Sequence, residues 1–350
     1  MLYRGLAKNF SNIDRVRRLL NNKTILITGG TGSFGHQMTR TILKNFPDVK
    51  KVIIYSRDEF KQFNMSLRPE FKDNPKLRFF IGDVRDKERL YRAFDGVDIV
   101  IHAAALKQVP ACEYNPFEAI KTNVIGAENI INAAIDKGVE KVVALSTDKA
   151  CSPANLYGAT KLCSDKLFIA GNAYAGSNKT AFGVVRYGNV AGSRGSVIPF
   201  FHKLINQGKK KLPITDTRMT RFWLKLEEAV EMVLYAIDNM IGGELFIRKT
   251  PSINIVDLAK AMAPELDIEV VGIRPGEKIH EMMVSEADSL NTLEFDKYFI
   301  IHPDLELLKS QSYAKDGKSV DVGFEYHSGK NPDWLSIPQI QDLIKDLGIN

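Results

Sequence analysis

Long apolar runs, paired cysteines and a one-sided charge are all missing from this 350-residue sequence. The three cysteines, Cys112, Cys151 and Cys163, form no CxxC pair, so we expect neither a disulfide framework nor a cysteine zinc site. This cysteine usage suits a reducing compartment, and we expect a cytoplasmic location. No segment reaches the roughly 18 consecutive apolar residues of a membrane-spanning helix. Charged residues also interrupt every possible signal sequence near the N-terminus. We therefore expect no membrane insertion.

The charge balance argues against a nucleic-acid partner. The chain has 48 Lys and Arg against 42 Asp and Glu, a net charge of +6, and most of the excess lies in a basic N-terminal extension, residues 1–22. Nucleic-acid-binding proteins instead gather basic groups on a working face. The 6 histidines show no HExxH or paired spacing, so no metal site is expected.

Short β-branched runs alternate with longer amphipathic stretches from Lys23 onward, which predicts an α/β fold. Strands are predicted at residues 24–28, 51–55, 77–81, 99–102, 141–146 and 182–186. Such alternation is typical of a Rossmann-like, doubly wound parallel sheet, whose ligands bind beyond the carboxyl ends of the strands.

The regular alternation of predicted strands and helices ends near residue 190, which predicts a smaller C-terminal substrate-binding domain. We assign residues 23–190 to a dinucleotide-binding Rossmann domain and residues 191–350 to the second domain. Residues 243–248 have the pattern of a further strand, so the chain can return to the first sheet and the boundary is soft.

The first predicted strand leads directly into a glycine-rich turn, Gly29-x-x-Gly32-x-x-Gly35. Glycine permits the tight turn, and the following helix offers free N–H groups to a diphosphate. The turn therefore predicts a dinucleotide site, which also involves the intervening Thr31, Ser33 and Phe34.

The end of the second predicted strand indicates which dinucleotide is bound. NAD sites usually place an acidic residue there for the ribose, whereas this chain has Ser56-Arg57 and then Lys61. These groups favour the 2′-phosphate of NADP, although Asp58 is close enough to serve as the acid for NAD.

Three further residues are candidates for the same site. Asp83 and Val84 follow the third strand, where they can meet the adenine, and Asp83 can alternatively cap the next helix. Ala103, after the fourth strand, offers a small side chain beside the cofactor.

The fifth predicted strand ends in Thr147-Asp148-Lys149, and Tyr157-x-x-x-Lys161 follows. A lysine one helical turn after a tyrosine can hold the ribose and favour the phenolate, which makes the tyrosine a base for a substrate hydroxyl. Together with the glycine turn, this pattern points to the extended short-chain dehydrogenase/reductases.

Longer motifs narrow the resemblance. They are TGGTGSFG, YSRDE, FIGDVRD, IHAAALKQVP, STDKA, NLYGATKLCSDKLF, RYGNVAGSRGSVIPFF, ITDTRMTRFW and IRPGEKIHE. These resemble bacterial UDP-N-acetylglucosamine 4,6-dehydratases, particularly the inverting type that opens pseudaminic acid biosynthesis. The resemblance implies UDP-N-acetylglucosamine as substrate, tightly bound NADP that is recycled in each turnover, and a homo-oligomer.

The resemblance also implies roles for the residues at the strand end. Tyr157 takes the C4 hydroxyl proton during oxidation, with Thr147 bonded to the same oxygen, while Asp148 acts as acid and Lys149 as the C5 base. An ammonium group can act as a base only if its pKa falls, which burial or a nearby positive charge such as that of Lys107 would cause.

Further positions are implied more loosely. Lys107 contacts both cofactor and sugar, Asn123 steadies the site, Val190 lies by the cofactor and Asn189 holds the sugar. The diphosphate is gripped by Arg194, Thr215, Arg274 and Glu277. The alternatives are a UDP-sugar C4 epimerase, a retaining 4,6-dehydratase, and an NADP-binding regulator that no longer catalyses a reaction.

Overall fold

The computed structural model describes residues 13–176, 178–193, 195–303 and 317–348. Its first elements are α1 (Ile13–Leu20), β1 (Thr24–Thr28), α2 (Ser33–Asn45), β2 (Lys51–Ser56), α3 (Glu59–Ser66), β3 (Leu77–Ile81), α4 (Lys87–Ala93), β4 (Ile99–His102), α5 (Val109–Tyr114), α6 (Pro116–Ile120), α7 (Gly126–Asp136), β5 (Lys141–Thr147), α8 (Leu156–Tyr174) and β6 (Ala181–Tyr187). A π-helical turn at Lys121–Ile125 and a 3-10 turn at Asp148–Ala150 interrupt this series.

The remaining elements alternate short strands with fewer helices. They are β7 (Asn189–Val190), α9 (Val197–Asn206), β8 (Lys211–Ile214), β9 (Thr220–Leu224), α10 (Leu226–Asn239), β10 (Leu245–Arg248), β11 (Ser252–Asn254), α11 (Ile255–Met262), β12 (Asp267–Val270), β13 (Met282–Val284), β14 (Thr292–Glu294), β15 (Tyr298–Ile301), β16 (Lys318–Ser319), β17 (Tyr326–His327) and α12 (Ile337–Asp346). Across the described ranges, no helix combines the length and apolarity that crossing a bilayer requires.

A ten-stranded sheet of order β16-β14-β15-β10-β6-β5-β4-β1-β2-β3 forms the centre of the fold. The strands from β10 to β3 are parallel, and β15, β14 and β16 extend the sheet in antiparallel fashion. Every residue of β1 is buried, because helices cover both faces of the sheet. The order 3-2-1-4-5-6 is that of a doubly wound sheet, which confirms the predicted fold class.

The strand predictions agree closely with the structure. Three predicted strands have the observed bounds, and the other three are observed at Lys51–Ser56, Lys141–Thr147 and Ala181–Tyr187, longer by one residue at one or both ends. The predicted strand in residues 243–248 is β10, which pairs with β6 and so belongs to the first sheet.

Residues after 190 also build a core of their own, which includes Phe201, Trp223, Leu258 and Ile340. Because the same part of the chain supplies β10 and β15 to the central sheet, the division into two domains remains a prediction. Of the basic extension, residues 1–12 lie outside the described residues.

The rest of the extension forms α1, which contacts α10. Arg15 Nε lies 2.9 Å from Asp238 Oδ1 in this contact. Val16 and Leu20 are buried in the core beside it, so this helix is anchored by both apolar packing and an ion pair.

Candidate active site

A cleft of about 670 Å³ opens where β1, β4, β5 and β6 end. The cleft lies at the crevice where the strand order reverses, the usual ligand site of doubly wound sheets. The predicted site residues that line it are Gly29, Thr31, Gly32, Ser33, Phe34, Gly35, Ser56, Arg57, Asp58, Lys61, Asp83, Val84, Ala103, Lys107, Thr147, Asp148, Lys149, Tyr157, Lys161, Asn189 and Val190.

The turn after β1 has the geometry of a diphosphate cradle. Gly29 has a φ of 62°, and a Cβ there would come within 2.9 Å of the backbone of Ala104. Gly32 is the N-cap of α2, whose first turn contains no acidic residue. The free N–H groups and positive helix end therefore face the cleft without competing negative charge, as the diphosphate of a dinucleotide requires.

Cations line the cleft at the end of β2. Asp58 accepts a hydrogen bond from the Lys61 amide at 2.9 Å, which caps α3, and its carboxylate lies 2.7 Å from Lys61 Nζ. Thr31 and Ser56 share a hydrogen bond of 3.0 Å between their hydroxyls. The Arg57 side chain is 57% exposed and its Nη1 lies 3.8 Å from Asp83 Oδ2. Asp58 thus caps the helix, while the exposed Arg57 side chain is accessible from the cleft.

Asp83 does not cap the next helix, so that alternative is wrong. Its Oδ1 accepts a hydrogen bond from the Arg85 amide at 3.0 Å, and its Oδ2 accepts one from Arg85 Nη2 at 2.8 Å. The N-cap of α4 is Asp86, which accepts the Arg89 amide at 2.9 Å.

Asn123 lies beneath the cleft and does not line it. Its Oδ1 accepts the Leu106 amide and its Nδ2 donates to the Leu106 carbonyl, both at 2.9 Å. Nδ2 also donates to Thr160 Oγ1 at 3.0 Å. This buried amide fixes the backbone next to Lys107 from a supporting position.

The end of β5 concentrates the reactive groups. The Thr147 hydroxyl donates to Asp148 Oδ1 at 2.9 Å, and Lys149 Nζ donates to the same oxygen at 3.0 Å. Asp148 is 1% exposed, and its Oδ2 has no hydrogen-bond partner among the described residues. An ammonium group and a buried carboxylate are therefore close enough to exchange a proton.

The charge environment of Lys149 differs from the sequence expectation. Burial acts to lower the pKa of Lys149, but the carboxylates of Asp148 and Glu281 more than offset it, and the pKa is raised. For Lys107, burial and then the charge of Lys149 lower the pKa. The fall in pKa that a base requires is therefore not found at Lys149, because Asp148 and then Glu281, which a distant part of the chain supplies, both raise the pKa.

Tyr157 and Lys161 are both buried on the first turns of α8, which Asn155 caps by accepting the Gly158 amide at 2.8 Å. Burial raises the pKa of Tyr157 to about 12, against the charge of Lys149 and a hydrogen bond with Thr147, which lower it. Burial lowers the pKa of Lys161, and the charge of Asp165 opposes this change. Tyr157 is therefore a neutral phenol that needs positive charge to become a phenolate.

A buried polar network supports the helix from below. Asp165 Oδ2 accepts a hydrogen bond from Ser146 Oγ at 2.6 Å, and Arg186 Nη2 lies 3.4 Å from the same oxygen. These contacts tie α8 to β5 and β6. They thereby fix Lys161, one turn earlier on the helix, relative to the strand ends.

The residues expected to hold the substrate are only partly brought together. Asn189 lines the cleft, and its buried Oδ1 has no hydrogen-bond partner among the described residues. Thr215, Arg274 and Glu277 do not line the cleft, and Arg274 is exposed. Arg194 lies outside the described residues.

Sequence reasoning missed Glu281, whose Oε1 lies 3.2 Å from Lys149 Nζ. This residue ends the IRPGEKIHE motif, so the motif contained a signal, but nothing local to it indicated the contact. Within the described ranges, no three His, Cys, Asp or Glu side chains are grouped to hold a metal ion.

These features together define an enzyme of the extended short-chain dehydrogenase/reductase class. The glycine turn follows β1, the threonine ends β5, and the tyrosine–lysine pair begins α8, all around one cleft.

Comparisons with known proteins narrow this class. The family model described as polysaccharide biosynthesis protein matches residues 25–303. A UDP-N-acetylglucosamine 4,6-dehydratase (inverting) from Campylobacter jejuni strain 81-176 is 56% identical over 332 residues, which cover 93% of this chain and 98% of that protein. A UDP-glucose 4-epimerase from Rickettsia canadensis is 42% identical over 93% of this chain and 96% of its own length.

Solved structures with a similar fold include proteins of the same kind. Pen from Bacillus thuringiensis has a TM-score of 0.86 and 38% identity, covering 95% of this chain and 99% of its own. The dTDP-glucose 4,6-dehydratase DesIV from Streptomyces venezuelae, with NAD and TYD bound, has a TM-score of 0.64 and 25% identity over 73% of this chain and 86% of its own. The chain belongs to the polysaccharide biosynthesis protein family, and the resemblance to inverting UDP-N-acetylglucosamine 4,6-dehydratases is confirmed.

Proposed function

We propose that this protein dehydrates UDP-N-acetylglucosamine to a UDP-4-keto-6-deoxy-hexosamine with inversion at C5. The observation that carries the proposal is the 3.0 Å contact between Lys149 Nζ and Asp148 Oδ1, in the cleft that Tyr157 also lines. The identity of 56% to the Campylobacter jejuni dehydratase supports the same reaction.

The chemistry explains why both a redox site and an acid–base pair are needed. The C5 proton of the sugar is not acidic until C4 is a ketone. Oxidation at C4 therefore precedes the removal of water across C5 and C6. The glycine turn, Arg57 and Lys161 would hold NADP, which would supply the reversible hydride acceptor that this order of steps requires.

Tyr157 takes the proton of the C4 hydroxyl, and Thr147 is bonded to the same oxygen. The phenol has a pKa of about 12, so its deprotonation depends on nearby positive charge, of which Lys149 supplies part. Lys161, one helical turn later, is proposed to add to it.

The Asp148–Lys149 pair can supply an acid and a base together. Movement of one proton from Lys149 Nζ to Asp148 converts the ion pair into a neutral amine and a carboxylic acid. The amine takes the C5 proton, and the acid protonates the C6 hydroxyl as it leaves as water. Both side chains are then in their charged forms, and C5 is reprotonated as the hydride taken from C4 returns to C6.

Residues further out are proposed to hold the nucleotide sugar. Asn189 brings an unpartnered buried oxygen to the cleft, and Lys107 is proposed to contact both cofactor and sugar. Arg194, Arg274, Thr215 and Glu277 remain proposals for the diphosphate. Arginine suits that role because its planar fork bonds two oxygens at once.

Incubation of purified protein with UDP-N-acetylglucosamine is expected to release one water and yield a 4-keto-6-deoxy product with no net consumption of NADP. In heavy water, solvent deuterium is expected at C5, because that proton exchanges through a side-chain base. Mass and NMR spectra of the product test this. Formation of NADPH in step with the product would contradict the proposal.

A UDP-sugar C4 epimerase is the second candidate, favoured by the 42% identity to a protein named UDP-glucose 4-epimerase. Epimerisation uses the tyrosine and the cofactor but leaves C5 and C6 untouched, so it needs no Asp148–Lys149 pair. The same product spectra distinguish the two, since an epimer retains the C6 hydroxyl and takes up no deuterium at C5. A retaining dehydratase would give the same mass with the opposite C5 configuration.

Arg57→Asp is expected to weaken NADP binding by about 1 to 3 kcal/mol and NAD binding much less, because a charge-assisted contact to the 2′-phosphate is lost. Titration of the purified variant with each cofactor measures the difference. Arg92→Asp makes the same charge change at an exposed site away from the cleft and is the control. Equal losses for NADP and NAD in Arg57→Asp would refute the preference for NADP.

The setting of the reaction is part of the proposal. We place the enzyme in the cytoplasm as a homo-oligomer that opens pseudaminic acid biosynthesis, consistent with the cysteines Cys112, Cys151 and Cys163 being free thiols.

A further inference from the structure

Glu281 is a buried carboxylate with no assigned role, and it contacts the proposed base. It directly precedes β13, its side chain is 3% exposed, and its Oε1 lies 3.2 Å from Lys149 Nζ. A buried carboxylate carries a large desolvation cost unless it is compensated by positive charge. The role of Glu281 can therefore be inferred from the cations that lie next to its carboxylate.

Three cations approach Glu281, and Lys149 is the nearest. Arg221 Nε lies 3.8 Å from Oε1, and Lys278 Nζ lies 3.9 Å from Oε2, an oxygen without a hydrogen-bond partner among the described residues. Arg221 donates instead to the carbonyls of Ile279 and Lys278, and Lys278 donates to the Cys151 carbonyl at 2.7 Å. The close ion pair of Glu281 is thus the one with Lys149.

The backbone of Glu281 is also held in place. Its amide donates to Ser328 Oγ at 2.8 Å, and its carbonyl accepts the Ser328 amide at 2.8 Å. A carboxylate fixed in this way can hold the Nζ atom of the flexible Lys149 side chain in one position.

The groups that face Lys149 come from several elements. Asp148 and Glu281 contact it directly, whereas Lys107, Arg221 and Tyr157 interact with it through charge. Burial disfavours the ammonium, but the two carboxylates outweigh burial and the repulsion from Arg221, so the pKa of Lys149 is raised.

We propose that Glu281 is a positioning residue that fixes Lys149 Nζ and strengthens it as the base for the C5 proton, an inference that rests on the proposed function. The C5 proton moves to the amine, the C5–H electron pair forms the C5–C6 double bond, and the C6 hydroxyl leaves as water with the proton from Asp148. Glu281 takes no proton. Its charge stabilises the ammonium that develops on Lys149 during this step.

The test is the pH dependence of solvent deuterium exchange at C5 in single-turnover reactions of the holoenzyme. Glu281→Gln removes a negative charge that favours the ammonium, so the half-maximal pH of exchange is expected to fall by about one unit or more. The plateau rate is expected to fall by about three- to tenfold, because the amine becomes a weaker base and is held less well.

Two variants separate charge from structure. Glu281→Asp keeps the charge, so its half-maximal pH is expected near that of the wild type, with a lower plateau because the shorter side chain reaches Lys149 less well. Glu286→Gln, an exposed position shortly after Glu281, is expected to match the wild type.

A Glu281→Gln profile with the wild-type half-maximal pH, or an equal shift in Glu281→Asp, overturns the inference. If circular dichroism shows that Glu281→Gln is unfolded, Glu281→Asp decides, and an unchanged plateau refutes the positioning role. Failure of the proposed function is distinguishable, since C5 exchange would then be absent from the wild type, as in an epimerase, or would persist in Lys149→Met. If only the role of Glu281 is wrong, Lys149→Met shows no C5 exchange and Glu281→Gln exchanges C5 as the wild type does.

Discussion

Tyr157→Phe is expected to stop both oxidation at C4 and deuterium exchange at C5. Without the phenol oxygen, no group on α8 takes the C4 hydroxyl proton, and C5 never becomes acidic. General acid–base catalysis contributes about a hundred- to ten-thousand-fold, so a loss of this size is expected in both rates. Absorbance of the reduced nicotinamide in a single turnover measures the first rate, and deuterium at C5 measures the second.

Tyr174→Phe is the matched control, because Tyr174 lies at the other end of the same helix and is 77% exposed. Its rates are expected to equal those of the wild type. Substantial C5 exchange in Tyr157→Phe would show that C4 oxidation uses a different base.

The parts of the site that could be predicted from sequence are those fixed by local geometry. Tyr157 and Lys161 are one helical turn apart, so the YxxxK spacing already places both on the same side of α8. The glycine turn follows from the spacing of Gly29, Gly32 and Gly35, and the strand ends follow from short apolar runs that alternate with amphipathic helical patterns.

The parts that could not be predicted depend on contacts between distant segments. Glu281 reaches Lys149 only because the chain before β13 returns to the end of β5, and this carboxylate joins Asp148 in raising the pKa of Lys149. The sequence offered Asp58 only as an acid for NAD, and the position of the α3 amides shows that it also caps the helix.

Tyr157 acts in the oxidation of C4, whereas the Asp148–Lys149 pair acts after it. The pair acts only on the ketone, so damage to it leaves the earlier hydride step intact. Variants of the two groups should therefore stop at separate stages and not merely at different rates.

Lys149→Met is expected to abolish water loss while the C4 oxidation remains, because Tyr157, Thr147 and Lys161 are unchanged. Methionine fills a similar volume but cannot accept the C5 proton, so C5 exchange should fall by about a hundred- to ten-thousand-fold. Reduced nicotinamide should then accumulate on the enzyme in a single turnover, in contrast to Tyr157→Phe. Lys166→Met, an exposed lysine on α8 outside the cleft, is the control and should behave as the wild type.

Asp148→Asn is expected to impair a different step, the loss of the C6 hydroxyl. An amide cannot protonate the departing C6 hydroxyl, so water loss should slow. C5 exchange should continue through Lys149, which can lose its proton to solvent because removal of the Asp148 charge lowers its pKa. If Lys149→Met instead exchanges C5 at the wild-type rate, the base is another residue. Glu281, the remaining buried carboxylate next to the pair, would then be the first position to examine, because it already lies 3.2 Å from the place that Lys149 Nζ occupies.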